Sequence, residues 1–391
     1  MSNISKNYNL RGVSSTKEDV HLAISKLDSG LSKNTFCKIY PDYLTNSKEH
    51  CLISHADGAG TKSILAYLYW KETGDFGVWK NIAQDAIVMN TDDLLCVGAI
   101  DNFCFTSTIG RNKNLITGNI ISELINGTQM IFDHFKKLGI NLHFMGGETA
   151  DVGDVVKTII VDGTMTVRME KNKIVDNSNI QDGDVIIGFS SSGQSTYESE
   201  YNSGIGSNGL TSARHDLLSK YYEQNYPESF DQAVPEKVRF TGKYRLTDID
   251  SQTGLTIGKL LLSPTRTYLP IIKEVFNKIS NDKIHGLIHC SGGGQTKILN
   301  FIDNLHIIKD NLFDVPPIFK LISQQSSSSW KEMYQVFNMG HRLEAYVDNS
   351  VAQQIIEISK KFNVDAKIIG KVEKSDVKRL TLNTSVGLFE Y

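Results

Sequence analysis

His55-Ala56-Asp57-Gly58-Ala59-Gly60-Thr61-Lys62 closes the apolar run Cys51 to His55 (CLISH), and its reading decides the fold. A short apolar run that breaks into glycines reads as a buried strand feeding a loop, and a helix is expected from about Lys62 to Lys71. Gly58 and Gly60 let backbone N–H groups approach an anion, the helix N-terminus adds its positive end, and Lys62 adds a point charge. The stretch therefore has the chemistry of a phosphate cradle. It is not a Walker A loop, because no Gly-Lys pair precedes a Ser or Thr, and a plain glycine turn with a solvated lysine fits it as well.

Working outward, Lys80 to Val97 repeats apolar residues at helical spacing (Ile82, Ala86, Met89, Leu94, Val97) and predicts a helix with its acids, Asp92 and Asp93, on one side. Asp101 to Ile109 reads as a strand. Thr117 opens an amphipathic helix with Ile120, Leu124, Ile131, Phe135 and Leu138 on one face, ended by Gly139. Two strands, Asn141 to Met145 and Val155 to Met169, are expected to bracket a turn at Gly146-Gly147-Glu148-Thr149-Ala150-Asp151.

Carboxylates repel phosphate. Acids beside a glycine-rich anion site, as in Asn90-Thr91-Asp92-Asp93 and the Glu148 turn, make sense chiefly when Mg²⁺ bridges them to phosphates. Taken singly, each also fits a solvated helix face or an ordinary turn.

A polar stretch, Glu170 to Asp184, has no sustained period and contains the turn pair Asp182-Gly183. It divides the chain into expected domains 1–175 and 176–391, in keeping with a length of 391 residues. The second half restarts with a strand at Val185 to Phe189. Helices are expected near 209–222, 266–280, 294–303 and 350–362, and strands near 284–290, 343–348 and 366–372. Mixed elements with long crossovers make the class α/β (α+β). Gln224 to Leu255, polar, aromatic-rich and aperiodic, reads as a surface excursion.

In that half Gly292-Gly293-Gly294 follows a strand and precedes a helix, a place for a substrate phosphate or for a tight turn. Gly204-Ile205-Gly206-Ser207-Asn208-Gly209 matches a dinucleotide fingerprint in letters only, since a polar stretch separates it from its strand. His285 and His289 lie four apart on an expected strand, which suits structural histidines better than zinc ligands.

Composition narrows the classes. A net charge of −3 without a basic stripe argues against nucleic acid. Five cysteines without a CxxC pair suit free thiols in a reducing cytoplasm. The absence of any apolar stretch near 18 residues argues against a membrane span.

Seven stretches in this order carry a resemblance: His55 to Lys62 (HADGAGTK), Met89 to Gly98 (MNTDDLLCVG), Gly146 to Ala150 (GGETA), Ser207 to Arg214 (SNGLTSAR), Leu262 to Tyr268 (LSPTRTY), Ser291 to Gly294 (SGGG) and Met333 to Gly340 (MYQVFNMG). Together they resemble the aminoimidazole ribonucleotide synthetase family, from about His55 to Val372. The resemblance implies a two-domain subunit and a homodimer in which N-terminal-domain strands build a shared β-barrel. It also implies ATP and Mg²⁺, with formylglycinamidine ribonucleotide closed to aminoimidazole ribonucleotide. On this basis Asp57, Asp92 and Glu148 are expected at Mg²⁺, and Asp57, Lys62 and Asp92 in the reaction. Gly58, Gly60, Thr61, Asn90, Asp93, Gly146, Gly147, Glu148 and Thr149 are expected at ATP. Ser207, Asn208, Gly209, Thr265, Arg266, Gly292, Gly293 and Gly294 are expected at the nucleotide substrate.

The chain also departs from the family. Tyr8 to Val13 lacks the usual Lys-Asp pair, and Gly206 stands where a histidine is common, with His215 the nearest replacement. Gln194 to Gly204 is extra. A related kinase or selenophosphate synthetase is the nearest enzyme alternative, although Cys37 lacks the glycine-rich setting of the latter. A nucleotide-binding dimer without catalysis is the alternative from another class.

Overall fold

The computed structural model describes residues 5–13, 23, 28, 30–326 and 328–391. Two sheets follow one another along the chain. The first comprises β1 (Ile39–Pro41), β2 (His50–Gly58), β3 (Phe103–Arg111), β4 (Leu142–Asp151) and β5 (Ile159–Glu170) in the order β1-β2-β5-β3-β4. Alternation sets its faces: Ile159, Val161, Met165 and Val167 of β5 turn into the core, while Ile160, Asp162, Thr164 and Arg168 turn away. The sheet is open in the single chain, with β4 along one edge.

Gly146 to Thr149 is not a turn. The strand β4 runs straight through it, paired parallel to β3, with one extra residue accommodated between the pairs Phe105–Phe144 and Ser107–Gly147. Gly146 takes that bulge at φ +96°. A Cβ on Gly147 would lie 2.2 Å from the Ser107 carbonyl oxygen, so only glycine lets the strands approach. Glycines that read as a loop in sequence are here the means of keeping a strand paired.

After the N-terminal helix α1 (Ser5–Leu10), α2 (Lys62–Thr73) packs on β5, α3 (Val78–Leu95) packs on β2, β5 and α2, and α4 (Gly118–Lys137) packs on α3. The amphipathic reading holds for α4, and Gly139 beyond it sits at φ +76°. For α3 the expected acid face is corrected. The helix is enclosed between the first sheet and the second half of the chain, and Asp85, Asn90, Asp92 and Asp93 are all buried. From Asp85 onward the helix is enclosed on every side, so its acids look inward for partners.

The second sheet, in the order β12-β11-β8-β10-β6-β9-β7, contains β6 (Val185–Ser190), β7 (Ile284–His289), β8 (Leu305–Lys309) and β9 (His341–Val347). It ends with β10 (Ala366–Lys374), β11 (Arg379–Thr384) and β12 (Gly387–Glu390). Both faces of β7 and β9 are buried. Residues 171–184, which hold two short 3₁₀ turns, join the two sheets.

The aromatic stretch 224–255 is not a surface excursion. Phe230, Val234, Val238, Phe240 and Leu246 are buried, Tyr67 donates its hydroxyl to Glu228 (2.7 Å), and Tyr222 donates to Glu72 (3.0 Å). Packing by separate aromatic anchors leaves no single-face period to read. His215 belongs to this cluster. Its Nδ1 accepts the Phe240 N–H (3.2 Å), and burial together with the Arg214, Arg11, Arg239 and Lys220 charges lowers its pKa to about 2. It is a structural acceptor and does not stand in for a histidine at 206.

The N-terminal segment docks here too, with Arg11 on Asp216 (2.8 Å), Ser212 Oγ (2.6 Å) and the Val238 carbonyl (3.0 Å). Beside it, burial raises Glu332 to about 7; the Asp216 charge adds to this and Ser328 opposes it. The folded pKa lies above the ordinary 4.5, so the folded state holds this proton more tightly, and stability falls as pH rises from about 4.5 through 7. Glu332→Gln is therefore expected to stabilise the protein by about 1–3 kcal/mol at pH 8 and by much less at pH 5. Thermal melts at both pH values check this; equal differences would contradict it.

Candidate nucleotide and substrate site

The loop between β2 and α2 is shaped by its glycines. A Cβ on Gly58 would lie 1.8 Å from Asp162 Oδ1 and 2.6 Å from the Val161 carbonyl oxygen, so glycine alone allows this approach to β5. Gly60 is exposed at φ +54°. The Ala59 N–H bonds the Val161 carbonyl and the Gly58 N–H bonds Asp57 Oδ1 (2.7 Å). The N–H groups of Gly60 and Thr61 have no partner among the described residues and head a 12-residue helix. Two free donors at a helix N-terminus suit an anion.

Lys62 is placed differently from expectation. It is fully buried, paired with Asp85 Oδ1 (2.9 Å) and bonded to the Ser263 carbonyl, and burial, opposed by Asp85, lowers its pKa. An apolar surround made it more economical for the ammonium to turn inward to a carboxylate than outward to a phosphate. Thr61 Oγ1 meets Thr211 Oγ1 (2.5 Å), tying the loop to α5 (Leu210–Leu217).

Asp57 stands near the end of β2, and Asp162 lies opposite Gly58 on the paired strand β5. Burial raises both pKa values; Asp93 raises Asp57 further, and Asp57 does the same to Asp162. Two carboxyls that each resist ionisation beside free N–H donors are suited to a cation shared with phosphates. Asp162 was not singled out from sequence. Its signal was an Asp-Gly pair inside an otherwise alternating strand.

Asp93 forms the centre of a polar network. It binds His289 Nδ1 (2.6 Å) and His55 Nε2 (3.2 Å), and these bonds outweigh burial and hold its carboxyl well below the usual range. Asn90 gives its Nδ2 to the carbonyls of Asp57 (3.0 Å), Ala86 (2.9 Å) and Gly163 (3.3 Å), which turns its Oδ1 toward His55 Nδ1 (3.0 Å). Both His55 nitrogens thus face acceptors. Although burial opposes it, the His55 pKa is raised, chiefly by Asp93, then Asn90 and Asp57. Donor atoms of His55, Asp57 and Asp93 lie within 4.8 Å of one another, and His55 and Asp93 are bonded to each other there.

The expected carboxylate set of Asp57, Asp92 and Glu148 is not brought together. Asp92 is fully buried and takes Thr267 Oγ1 (2.7 Å) and the Tyr268 N–H (3.0 Å), fastening α3 to the second half. Glu148 is exposed on the edge strand; its backbone partner Thr108 pairs with Asp162 on the other side. Thr149 and Gly147 flank it there, and Gly146 forms the bulge.

In the second half the loop Ser207-Asn208-Gly209 and the loop Gly292-Gly293-Gly294 lie side by side. The Asn208 amide is 3.7 Å from where a Gly292 Cβ would be, and Ser207 Oγ meets Thr265 Oγ1 (3.2 Å). Gly292 is exposed, and Gly293 at φ +97° starts a 3₁₀ segment.

Thr265 and Arg266 are withdrawn from that surface. The Thr265 N–H and hydroxyl bond Asp85 Oδ1 (2.8 and 2.5 Å). Arg266 is buried, held bidentately by Glu198 (2.9 and 2.6 Å), and donates to the Ser190 and Ser192 carbonyls (3.0 Å each). Glu198 comes from the extra segment Gln194 to Gly204, so that insertion neutralises the arginine expected to bind substrate.

Residues 40–169 match the model of the AIR synthase related protein N-terminal domain, and residues 181–383 match that of its C-terminal domain. A Methanococcus vannielii protein named phosphoribosylformylglycinamidine cyclo-ligase is 30% identical over 325 residues, 83% of this chain and 78% of that one. A protein of the same name from Carboxydothermus hydrogenoformans is 30% identical over 358 residues, 89% and 88% of the two chains. Among solved structures, Thermotoga maritima PurL complexed with FGAR aligns with a TM-score of 0.57 at 13% identity, covering 96% of this chain and 49% of that one. This chain thus spans about half the PurL length. AaThiL complexed with AMPPCP and TMP gives a TM-score of 0.53 at 12% identity, over 95% of both chains. These structural likenesses speak to fold alone. With two consecutive domain models matched and 30% identity over most of the length of its relatives, the chain belongs to the AIR synthase related protein family.

Proposed function

We propose that this protein is an ATP-dependent phosphoribosylformylglycinamidine cyclo-ligase of purine biosynthesis. The observation that carries the proposal is the shared name of relatives matched over 78% and 88% of their own lengths. The unpaired Gly60 and Thr61 N–H groups beside Asp57 and Asp162 supply chemistry that suits it.

An amide oxygen is a poor leaving group. In the proposed reaction the formyl oxygen of formylglycinamidine ribonucleotide attacks the γ-phosphorus of ATP and ADP departs. The neighbouring nitrogen then attacks the formyl carbon, the carbon–oxygen bond to phosphate breaks, and the nitrogen loses a proton as the ring closes. Positioning and charge neutralisation dominate such a transfer. Gly58, Gly60 and Thr61 would hold phosphates. Asp57 and Asp162 would hold Mg²⁺, which when bound supplies charge neutralisation. Asn208 and Gly292 to Gly294 would hold the substrate, while Lys62, Asp92, Thr265 and Arg266 maintain the contact between the two halves. Two copies would join along the open edge of β4, where Phe144 and Met145 are exposed.

The test follows the oxygen. With substrate carrying ¹⁸O in the formyl group, the label is expected in the released inorganic phosphate. Label released to water instead would contradict the phosphorylated intermediate.

A further inference from the structure

Two buried arginines face the junction of the halves, and their charges are treated differently. Arg266 is neutralised by Glu198. Arg342, 2% exposed, has no carboxylate within ion-pair distance among the described residues. It donates Nε–H to His289 Nε2 (3.1 Å) and a terminal N–H to the Arg266 carbonyl, and its guanidinium lies 5.5 Å from the Tyr268 ring centre. A buried guanidinium without a counter-ion is an expensive way to fill space. Among the described residues its one directional contact with a titratable group is His289.

That contact determines where the histidine proton resides. Arginine Nε–H only donates, so His289 Nε2 must accept. Ionised Asp93 only accepts, so the single ring hydrogen sits on Nδ1 and is given to Asp93 Oδ1 (2.6 Å). The chain of bonds then continues from Asp93 Oδ2 to His55 and from His55 to Asn90, whose amide grips the Asp57 carbonyl. Gly206 leaves room for this: its absent Cβ would lie 3.3 Å from Arg342 Nη1, so a larger side chain would press on the guanidinium.

We infer that Arg342 is a positioning residue for the nucleotide site, locking His289 in the Nδ1–H tautomer and thereby holding Asp93 and the Asp57 strand end in place. The kinetic consequence rests on the proposed function; the tautomer does not. Asp92 and Lys62 are the other charged groups whose ionisation Arg342 influences, and both are committed to other partners.

The test is ¹⁵N NMR of histidine-labelled protein, with His289 assigned by difference against His289→Gln, together with turnover on ATP and formylglycinamidine ribonucleotide. Wild type is expected to show hydrogen on Nδ1 of His289 and none on Nε2. Arg342→Met is expected to lose that single tautomer and to lose about 10- to 100-fold in kcat. Arg342→Gln, which keeps an N–H donor, is expected to restore both in large part. Hydrogen on Nε2 in wild type overturns the inference whether or not any variant folds, and so does Arg342→Met with wild-type tautomer or wild-type turnover. If wild type forms no product while the Nδ1–H tautomer is found and depends on Arg342, the proposed reaction fails and the positioning of His289 stands.

Discussion

Asp57→Asn is expected to lower kcat at least about tenfold, a loss of roughly 1.4 kcal/mol of transition-state stabilisation, while leaving the fold intact. Asparagine keeps an oxygen to accept the Gly58 N–H, a bond of 2.7 Å in the structure, so the strand end survives. What disappears is the negative charge at the strand end that leads into the loop, next to Asp162 on the paired strand. That charge is held at a cost, since burial and Asp93 both raise the Asp57 pKa. The variant is therefore expected to be as stable as wild type or more so, by up to about 1 kcal/mol, as when a strained functional charge is removed. Steady-state kinetics and thermal melts on the same preparation check the pair of outcomes. Unchanged turnover in a folded variant would remove Asp57 from the site.

The largest stability effect is expected at Asp85. One buried oxygen, Oδ1, accepts from Lys62 Nζ (2.9 Å), the Thr265 N–H (2.8 Å) and the Thr265 hydroxyl (2.5 Å), joining α2, α3 and the second half of the chain. Asp85→Ala leaves a buried ammonium without its counter-ion, held by the Ser263 carbonyl alone, and two further donors without an acceptor, and is expected to cost about 3–5 kcal/mol. Removing both charges in Lys62→Met with Asp85→Leu is expected to recover at least about half of that loss, because no unpaired charge remains. Urea unfolding of the single and double variants measures both. Asp85→Ala within about 1 kcal/mol of wild type would show that Lys62 is not held as described.

Local features of the chain were readable wherever one residue's role is set by its neighbours in sequence. Ile120, Leu124, Ile131 and Phe135 share one face because α4 has one solvated side, and Gly139 ends it for the expected reason. The Asp57 to Lys62 junction between strand and helix was readable for the same reason. Enclosure defeated the reading of α3: with partners on every side, its acids do not mark a solvated face. The bulge at Gly146 depends on how β4 meets β3, which no single strand displays. Short elements such as β8 and the helix Pro317–Gln325 were missed because they are brief and draw their stability from packing.

The chemistry of the site shows the same divide. Asp57, Gly58 and Gly60 were visible as a motif. The role of His289 depends on Asp93, 196 residues away, and the withdrawal of Arg266 depends on Glu198, 68 residues away. Asp92 and Asp93 are adjacent in sequence, yet one fastens the two halves and the other anchors two histidines, a difference set by the direction each side chain takes from the helix.

The central claim is ring closure at the expense of ATP. Purified protein given formylglycinamidine ribonucleotide, ATP and Mg²⁺ is expected to form aminoimidazole ribonucleotide with one ADP and one phosphate per ring closed. No aminoimidazole ribonucleotide under saturating conditions, from protein shown to be folded, would contradict it.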